Sequence, residues 1–561
     1  MTDLNADVNA TLTADVLIVG AGPVGLTLAM DLAGRGIKVV IAETRHFAEP
    51  PNVKCNHVAA RTMEQFRRLG VAQKLRDAGL SATYPNDVVF RTTVTGLELT
   101  RIPIPCRRDR YTDTSGPDGW WPTPEPPHRI NQIFLEPILL KHTAALPGVT
   151  LLNRTQVTTF EQDTQGVVAT ARDLESGKTR RIAARYMVGC DGGRSEVRKQ
   201  IGARLEGTAV IQRVQSTYIR APKLKDLIPG KPAWSCYAMN PRRCGTVFAI
   251  DGKETWLVHN HLTADEPAFD SVDRDQSIRS ILGVGADFEY QVLSEEDWVG
   301  RRLVADRFRG TLGNRNVFLA GDAAHLWMPY AGYGMNAGIA DALNLSWLLA
   351  ARLQGWADEA ILDAYEVERQ PITEQVSQFA MNQAQQMMKM KQAVPANIEE
   401  AGPAGDALRA QTGQGAYDLN VQQFCCAGLN FGYFYTSSPI IAHDVEAPPP
   451  YTMGDFTPST VPGCRAPHFW LSDGRSLYDA FGPGYTLLRF DPQAEVSALV
   501  RAASERNMPL TVLNVSSVEA PAAYGHQLVL CRADQHVVWR GNALPVNVPA
   551  LVAQLCGAGA V

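Results

Sequence analysis

The fold is decided by the stretch Asp15-Val16-Leu17-Ile18-Val19-Gly20-Ala21-Gly22-Pro23-Val24-Gly25. It begins as a short apolar strand and runs into a glycine-rich turn with the spacing G-x-G-x-x-G. Apolar residues at helical spacing follow over 26–33, and residues 37–41 form a second apolar strand that ends near Glu43. This order of strand, turn, helix and strand is typical of the βαβ unit that binds dinucleotides, and it predicts an α/β fold.

The residues of this unit have separate predicted roles. Gly20 allows the tight turn, Gly22 lets the backbone approach a pyrophosphate, and Gly25 lets the helix pack closely on the strand. The helix that starts at Pro23 presents unpaired N–H groups and a positive dipole to the same pyrophosphate. Glu43, which follows the last glycine by 18 positions, can accept hydrogen bonds from ribose hydroxyls. The fingerprint alone leaves both NAD and FAD open.

A second segment, far downstream, indicates FAD. Residues 316–320 form an apolar strand that runs into Gly321-Asp322-Ala323-Ala324-His325, and a glycine-rich loop and a long amphipathic helix follow. The Asp322 carboxylate suits a polyol chain, and a helix N-terminus near Asn336 suits the pyrimidine edge of an isoalloxazine. His325 is expected to make a structural hydrogen bond. The predicted flavin-binding residues of this segment are Gly321, Asp322, Pro329, Gly332, Gly334, Met335 and Asn336.

A third segment, Val188-Gly189-Cys190-Asp191-Gly192-Gly193-Arg194-Ser195, again follows an apolar stretch and precedes a helix. Taken in order, the GxGxxG, DG and GD segments resemble the class A FAD-dependent aromatic hydroxylases, which have the p-hydroxybenzoate hydroxylase fold, and within them the phenol hydroxylase-like subgroup. The resemblance covers about residues 13–395. It implies a Rossmann-type FAD-binding domain with an inserted mixed-sheet substrate domain.

The resemblance also implies cofactor roles for single residues. The first βαβ unit would hold the ADP half of FAD, and Asp322 would bind the ribityl chain. Asp191 and Gly192 match the motif implicated in both FAD and nicotinamide binding. Arg61 resembles an arginine that approaches the cofactor, with a solvated helix charge as the alternative. Gln132 resembles a glutamine that reaches the flavin, with a helix-entry residue as the alternative.

The reaction implied by the resemblance is hydroxylation of a phenolic or related aromatic ring with O₂ through a flavin C4a-hydroperoxide, with NADH or NADPH as the transient electron donor. Removing the phenol proton makes the ring carbon more nucleophilic, so a base is expected within hydrogen-bond reach. The candidates are His57, Tyr237 and His259, each with a core or surface role as the alternative. The alternative functions are an FAD-dependent reductase or oxidase of the same fold and an inactive flavin-bearing binding protein.

Two further regions concern the substrate. Residues 205–310 contain stretches of alternating apolar and polar residues, such as 255–259, which predict an antiparallel sheet. In the family such a sheet roofs the substrate pocket over the flavin. The insertion 85–128, with Trp120 and Trp121, either covers the edge of this pocket or forms a surface loop.

The C-terminal part differs in character. Residues 396–450 are rich in Ala, Gly and Pro and are predicted to form an extended linker. The strands and helix predicted after them resemble a thioredoxin-like domain, but the position of its C-x-x-C reads Asp491-Pro492-Gln493-Ala494. Packing or assembly, including a homodimer, is therefore expected instead of redox work, and a chain ending near Ala447 is expected to keep hydroxylation. The predicted domains are 1–204 (FAD-binding, first part), 205–310 (substrate sheet), 311–395 (FAD-binding, second part), 396–450 (linker) and 451–561 (thioredoxin-like).

Composition narrows the function classes. The 561 residues include 53 Lys and Arg against 58 Asp and Glu, a formal charge of -5 without a long basic block, which argues against a nucleic-acid partner. The ten cysteines are scattered, which predicts no metal site and fits a reducing cytoplasm. The first fourteen residues lack a basic and apolar leader, and no run of 18 apolar residues predicts a membrane span. The expected partners are a small aromatic substrate and O₂.

Overall fold

The chain folds around three β-sheets. The computed structural model describes residues 11–54, 56–119, 121–311, 315–516 and 518–558. Trp120 of the predicted pocket cover and Cys55 lie outside these residues.

The strands alternate with helices in the first part of the chain and dominate its middle. In chain order they are β1 (Leu12–Val19), β2 (Val39–Ala42), β3 (Val88–Arg91), β4 (Glu98–Ile102), β5 (Val149–Leu152), β6 (Thr155–Gln162), β7 (Val167–Asp173), β8 (Thr179–Gly189), β9 (Leu205–Arg220), β10 (Ser235–Ala238), β11 (Gly245–Ala249), β12 (Thr255–His261), β13 (Gln291–Ala305), β14 (Val317–Leu319), β15 (His325–Leu326), β16 (Tyr485–Arg489), β17 (Leu510–Asn514), β18 (Leu528–Arg532) and β19 (Val537–Gly541).

The longest helices lie between the second and third sheets along the chain. In chain order the α-helices are α1 (Pro23–Gly34), α2 (Ala60–Arg68), α3 (Ala72–Arg76), α4 (Gln132–Ala144), α5 (Glu196–Gln200), α6 (Leu224–Leu227), α7 (Arg274–Leu282), α8 (Gly334–Leu353), α9 (Ala364–Gln392), α10 (Pro403–Phe424), α11 (Ala427–Phe431), α12 (Ser497–Glu505) and α13 (Val548–Leu555).

The first sheet has the order β5-β2-β1-β8-β7-β6, with β14 beside β8. Strand β1 is parallel to both β2 and β8, and β14 is parallel to β8. In this register Val19 and Leu319 both lie opposite Gly189. The GxGxxG, DG and GD segments begin directly after these three strand ends, so they meet at one edge of the sheet. The predicted Rossmann-type FAD-binding fold is confirmed.

The second sheet, here called the substrate sheet, has the order β15-β13-β9-β12-β11-β10-β3-β4. Its centre is antiparallel, as the alternating pattern of residues 205–310 predicts. The insertion 85–128 also enters the sheet, because Val88–Arg91 pairs in parallel with Ser235–Ala238. The description of this insertion as a pocket cover or surface loop is therefore incomplete. Three apolar residues followed by an arginine are too few to distinguish a strand from a loop by pattern.

The prediction of an extended linker at 396–450 is wrong. The segment contains α10, a helix of 22 residues, and the short helix α11. Pro403 occupies the first turn of α10, where its missing N–H has no intrahelical partner. At Gly413 a side chain would clash with the carbonyl of Leu99, so the glycine permits close packing of α10 on β4. The Ala, Gly and Pro content thus reflects a helix cap and a tight contact.

The third sheet has the order β17-β16-β18-β19. Strands β16 and β17 are parallel, whereas β18 is antiparallel to both β16 and β19. The connection from β16 to β17 contains α12, so the predicted thioredoxin-like arrangement is confirmed. Residues of this domain, including Tyr485, Leu487 and Leu551, share one continuous buried core with the FAD-binding domain.

Candidate active site

The glycines of the first turn have two different surroundings. Gly20 has a positive φ of 105°, and a side chain there would clash with the carbonyl of Cys190. A side chain at Gly25 would clash with the carbonyl of Gly20. In contrast, no protein atom lies within 4 Å of the position that a Cβ atom at Gly22 would occupy. Gly20 and Gly25 therefore serve the packing of the protein, while the space beside Gly22 is open to a ligand.

Helix α1 begins at this open space. Its N-cap is Gly22, no side chain caps it, and Pro23 lies in its first turn. The N–H groups of the first turn thus have no side-chain acceptor. Unpaired N–H groups beside a side-chain-free approach are the surroundings that a pyrophosphate requires, so this end of the site fits a dinucleotide.

Glu43 lies in a buried network beside the same turn. Its carboxylate accepts a hydrogen bond from Ala21 N at 2.7 Å and one from Arg45 N at 2.9 Å. Burial opposes ionisation, but the Arg45 guanidinium and these bonds hold the pKa of Glu43 below its ordinary value. Arg45 also pairs with Glu136 at 2.5 Å, and Gln132 donates to Glu136 at 3.0 Å. The structure thus joins Glu43 and Gln132, although ribose binding by Glu43 and flavin binding by Gln132 stay predictions.

Asp191, which follows β8, has hydrogen-bond partners within the described part of the chain for only one of its two carboxylate oxygens. One carboxylate oxygen accepts from Glu196 N at 2.8 Å and Val197 N at 3.1 Å, in the first turn of α5. The other oxygen, Oδ1, is buried and has no hydrogen-bond partner among the described residues. Burial raises the pKa of Asp191. Gly192 follows it in the turn, so a polar group of a ligand at this sheet edge could satisfy Oδ1.

Asp322, directly after β14, lines an accessible but enclosed space. Its side chain is exposed to solvent, yet burial by the surrounding protein raises its pKa, with His325 and Lys54 acting in the opposite direction. It accepts no hydrogen bond from a described residue. A carboxylate with free acceptor capacity inside a cleft fits a chain of hydroxyl groups, which agrees with the role predicted for the ribityl chain.

The turn that carries Asp322 is fixed by a buried group of charges. His325 Nε2 lies 2.6 Å from an oxygen of Asp341, which also accepts from Gly321 N at 3.2 Å. Arg369 donates to the other oxygen of Asp341 at 2.9 Å. Burial opposes ionisation of Asp341, but His325 and Arg369 hold its pKa below the ordinary value. His325 thus makes the structural hydrogen bond expected of it.

The loop after the GD motif meets the start of α8. Pro329 and Gly332 lie in this loop, and Gly334 and Met335 begin the helix. No side chain caps α8, and the Cβ position at Gly334 is open. The side chain of Asn336 is occupied, because it accepts from Ala59 N at 2.8 Å and donates to Gly332 O at 2.7 Å and His57 O at 3.1 Å. Backbone N–H groups, and not the Asn336 amide, remain for a flavin.

Arg61 is placed differently from the other predicted cofactor residues. Its guanidinium pairs with Glu64 at 3.1 Å and donates to the backbone carbonyl of Asp534 in the thioredoxin-like domain. Glu64 is also paired with Arg465. Arg61 is buried, so it is not a solvated helix charge, and its observed contacts hold two domains together. We therefore leave it out of the flavin-binding set proposed below.

One face of the substrate sheet carries two of the candidate catalytic residues. Tyr237 and His259 both lie opposite Thr246, so all three side chains are on the same face. Tyr237 stacks on Phe90 with ring centroids 4.9 Å apart, and it shares a buried cluster with Tyr330 from the loop after the GD motif. This aromatic face is therefore turned toward the flavin loop.

The third candidate, His57, lies on the flavin side. Its Nδ1 is 2.7 Å from an Arg129 guanidinium nitrogen, and Arg129 lies 4.1 Å above the ring of Trp234. Because the guanidinium can only donate, His57 Nδ1 accepts and the ring proton is on Nε2. Burial and the Arg129 charge hold the pKa of His57 well below its ordinary value. The sequence reading missed Arg129, although it precedes Gln132 by only three positions.

Family comparisons agree with this geometry. A family described as FAD binding domain matches residues 13–380, and a family described as aromatic-ring hydroxylase, C-terminal, matches residues 459–558. The chain belongs to the FAD-dependent aromatic-ring hydroxylases. FAD is accordingly its cofactor, and NADH or NADPH is the electron donor typical of these enzymes.

Other FAD-dependent hydroxylases resemble it over nearly their whole length. An FAD-dependent monooxygenase of Emericella nidulans is 30% identical over 97% of this chain and 90% of that protein. The solved structure of RebC with bound 7-carboxy-K252c has a TM-score of 0.88 and 34% identity, over 98% of this chain and all of that one. Aklavinone-11 hydroxylase with FAD and aklavinone has a TM-score of 0.80 and 26% identity, over 97% and 99%. Among the described residues, no helix combines the length and apolarity needed to cross a membrane.

Proposed function

We propose that this hydroxylase acts on a phenolic compound with several fused rings, bound between the aromatic face of the substrate sheet and the flavin. The observation that carries the proposal is the face itself, where Phe90, Tyr237 and His259 lie in one row across four strands, with Thr246 between the last two. Aklavinone and 7-carboxy-K252c, the compounds bound in the two similar structures, support the choice of a multi-ring substrate.

The cofactor would be held by groups that the protein leaves unpaired. The N-terminus of α1 beside Gly22 would bind the pyrophosphate, Asp322 the ribityl chain, and the first turn of α8 the flavin ring. Asp191 Oδ1 is a further acceptor at the same sheet edge. Bound FAD, once reduced by NADH or NADPH, would activate O₂ so that one oxygen atom enters the aromatic ring and the other leaves as water.

The protein's own contribution is to position the phenol O–H by hydrogen bonding. We propose His259 as the hydrogen-bond acceptor, because it lies on the aromatic face and its ring is neutral at pH 7, since burial, together with the Lys391 charge, lowers its pKa to about 4. Neither ring nitrogen of His259 is hydrogen-bonded to a described residue. The Nδ1 atom of His57 is already engaged by Arg129, so His57 serves better as a hydrogen-bond donor. Burial raises the pKa of Tyr237, which makes it a donor as well.

The test is consumption of NADH or NADPH by the FAD-loaded enzyme with a panel of one-, two- and four-ring phenols under oxygen-18. The expected result is one labelled oxygen per product, with faster turnover for the larger phenols. His259→Phe should lower turnover while the thermal stability stays close to that of the wild type. Oxidation of the electron donor without labelled product would contradict monooxygenation, and preference for single-ring phenols would contradict the proposed substrate size.

The proposal also covers the location and the assembly of the protein. A reducing compartment such as the cytoplasm is favoured because the cysteines of the described residues are all free. A homodimer stays a prediction that a measurement of mass in solution would decide.

A further inference from the structure

Lys391, in the last turn of α9, is a cation without a partner. It forms no ion pair with any carboxylate of the described residues, although its side chain is only partly accessible. Burial lowers its pKa to about 8. An ammonium group in such surroundings destabilises the fold unless an anion accompanies it. The protein therefore leaves a partly accessible ammonium group without a carboxylate partner.

Lys391 lies against the face of the substrate sheet described above. Its backbone carbonyl lies 3.9 Å from the Sγ atom of Cys244, which directly precedes β11. Burial, together with the Lys391 charge, lowers the pKa of both His259 and His261. The two imidazoles are alternate residues of β12, so they point to the same side, with ring centroids 6.4 Å apart. All three side chains are partly accessible, so a ligand can reach them.

His261 provides a second unsatisfied group. Its Nε2 is 3.3 Å from the Thr246 hydroxyl, but its Nδ1 is buried and has no hydrogen-bond partner among the described residues. Aromatic rings bound the same space, because His259 lies 5.6 Å from Phe248 and 6.0 Å from Trp298. A flat apolar wall beside an unpaired cation and an unpaired ring nitrogen suits an aromatic compound with an oxygen substituent.

The neighbouring arginines, in contrast to Lys391, are paired with carboxylates. Arg243 is held by Glu266 through two bonds of 2.7 and 2.8 Å. Arg242 is held by Glu399 at 2.5 and 3.0 Å. Their charges are compensated by the protein, whereas that of Lys391 is not.

We propose that Lys391 and His261 form a subsite beside His259 that binds an anionic oxygen of the aromatic substrate. The oxygen belongs either to a carboxylate or to an ionised phenol, since both present the same charge and hydrogen-bonding capacity. The inference rests on the proposed function only for the location of the substrate at this face of the substrate sheet. It adds that the substrate carries an acidic group at the end of the molecule that meets α9.

The test is binding, measured without turnover by the change in flavin absorbance of the oxidised, FAD-loaded enzyme. The probes are 2-naphthoate, 2-naphthol and 2-methylnaphthalene, which share one ring system and differ in the substituent. Wild-type enzyme is expected to bind one of the two oxygen-bearing probes about ten- to hundredfold more tightly than 2-methylnaphthalene. The probe that shows the preference identifies the anion as a carboxylate or a phenol oxygen.

Lys391→Met should abolish that preference, because it keeps the length of the side chain and removes its charge. Lys389→Met is the matched control, since Lys389 is exposed on the same helix, and it should keep the preference. No preference in the wild type, or an equal preference in Lys391→Met, would overturn the proposal. Failure to hydroxylate any phenol would contradict the proposed function and leave this binding result intact.

Thermal unfolding of the same proteins at pH 7 gives an independent readout. Removing an uncompensated charge should raise the melting temperature of ligand-free Lys391→Met by at least about 1 °C, whereas Lys389→Met should match the wild type. A lower melting temperature for Lys391→Met would mean that the protein itself compensates the ammonium group, and the proposal would then be wrong.

Discussion

Arg532 of the thioredoxin-like domain forms two hydrogen bonds of 2.6 Å with the carboxylate of Glu368 in helix α9. Both side chains are fully buried. The next residue of the helix, Arg369, binds Asp341, which in turn accepts the N–H of Gly321 in the flavin-binding turn. A short chain of contacts therefore runs from the C-terminal domain to the cofactor site.

This relationship changes the expectation that a chain ending near Ala447 keeps its activity. Removal of the C-terminal domain would leave Glu368 and Glu64 buried without their partners Arg532 and Arg465. It would also expose part of the common core. We predict that the shortened protein unfolds at lower temperature and retains less FAD, measured as bound FAD per chain. A shortened enzyme with full flavin occupancy and turnover would contradict this.

A single substitution tests the same contact more finely. Arg532→Met leaves the buried Glu368 carboxylate without a cation, with only the hydrogen bonds from Asn344 and Ser438. This should lower the free energy of unfolding in urea by about 3–5 kcal/mol. Arg475→Met is the control, because the pair of Arg475 with Asp473 is exposed and should contribute about 0–1 kcal/mol. Equal effects of the two substitutions would show that the buried pair does not hold the domains together.

Gly22 lies beside open space and Gly25 is tightly packed, so substitutions at these two glycines should have different effects on FAD binding and on stability. Gly22→Val places its side chain in open space, so the apoprotein should fold with nearly unchanged stability and fail to retain FAD. Gly25→Ala forces a methyl group into the carbonyl of Gly20, so the protein itself should be destabilised. Circular dichroism and FAD content of the two variants separate these outcomes. A Gly22→Val enzyme that keeps its flavin would remove the pyrophosphate from this turn.

Substitutions of Asp322 and Asp341 should likewise have different effects, the first on FAD binding and the second on stability. Asp322 accepts no hydrogen bond from a described residue, so Asp322→Ala should leave the melting temperature of the apoprotein unchanged. Loss of its charged hydrogen bonds, each about 1.5–3 kcal/mol, should weaken FAD binding by at least about tenfold. Asp341→Ala breaks contacts to His325 and Arg369 and should instead lower stability. Titration of apoprotein with FAD provides the measurement.

The pKa of Lys391 predicts a pH dependence of anion binding. The ammonium group is charged below about pH 8, so affinity for an anionic probe should be constant near pH 7 and fall as the pH rises above this value. His259 and His261 stay neutral in this window, because burial and the Lys391 charge lower their pKa values, and burial raises the pKa of Cys244 above its ordinary value. Affinity measured from pH 6.5 to 9.5 should follow one titration in the wild type and none in Lys391→Met.

The contribution of Lys391 to the free energy of unfolding should depend on pH in the opposite direction from anion binding. The folded-state pKa is lowered, so between about pH 8 and 10.4 the unfolded chain binds more protons than the folded one, and the contribution of Lys391 to stability rises with pH. The gain in stability from Lys391→Met at pH 7 should therefore shrink toward pH 10. A gain that does not depend on pH would point to improved packing and not to the removal of a charge.

The sequence predicted the parts of the site that depend on local order. The apolar strand before Gly20 and the one before Gly321 are short patterns that end in residues with defined backbone roles, so their places could be read directly. The role of Arg45 could not be predicted in this way, because its partner Glu136 is 91 positions away. The Asn336 side chain accepts a hydrogen bond from Ala59 N, 277 positions away in the sequence, so its engagement could not be predicted either. Nothing in the residues around Lys391 indicates that the end of α9 meets Cys244, just before β11.

The position of β1 also has a consequence for the order in which the protein is made. The first strand of the chain pairs with β8, and β8 pairs with β14, which ends at Leu319. During synthesis from the N-terminus, the sheet that contains β1 therefore cannot be completed until more than half of the 561 residues have been synthesised. Contacts between residues so distant in sequence form slowly. The GxGxxG, DG and GD segments consequently come together only after residue 319 has been synthesised.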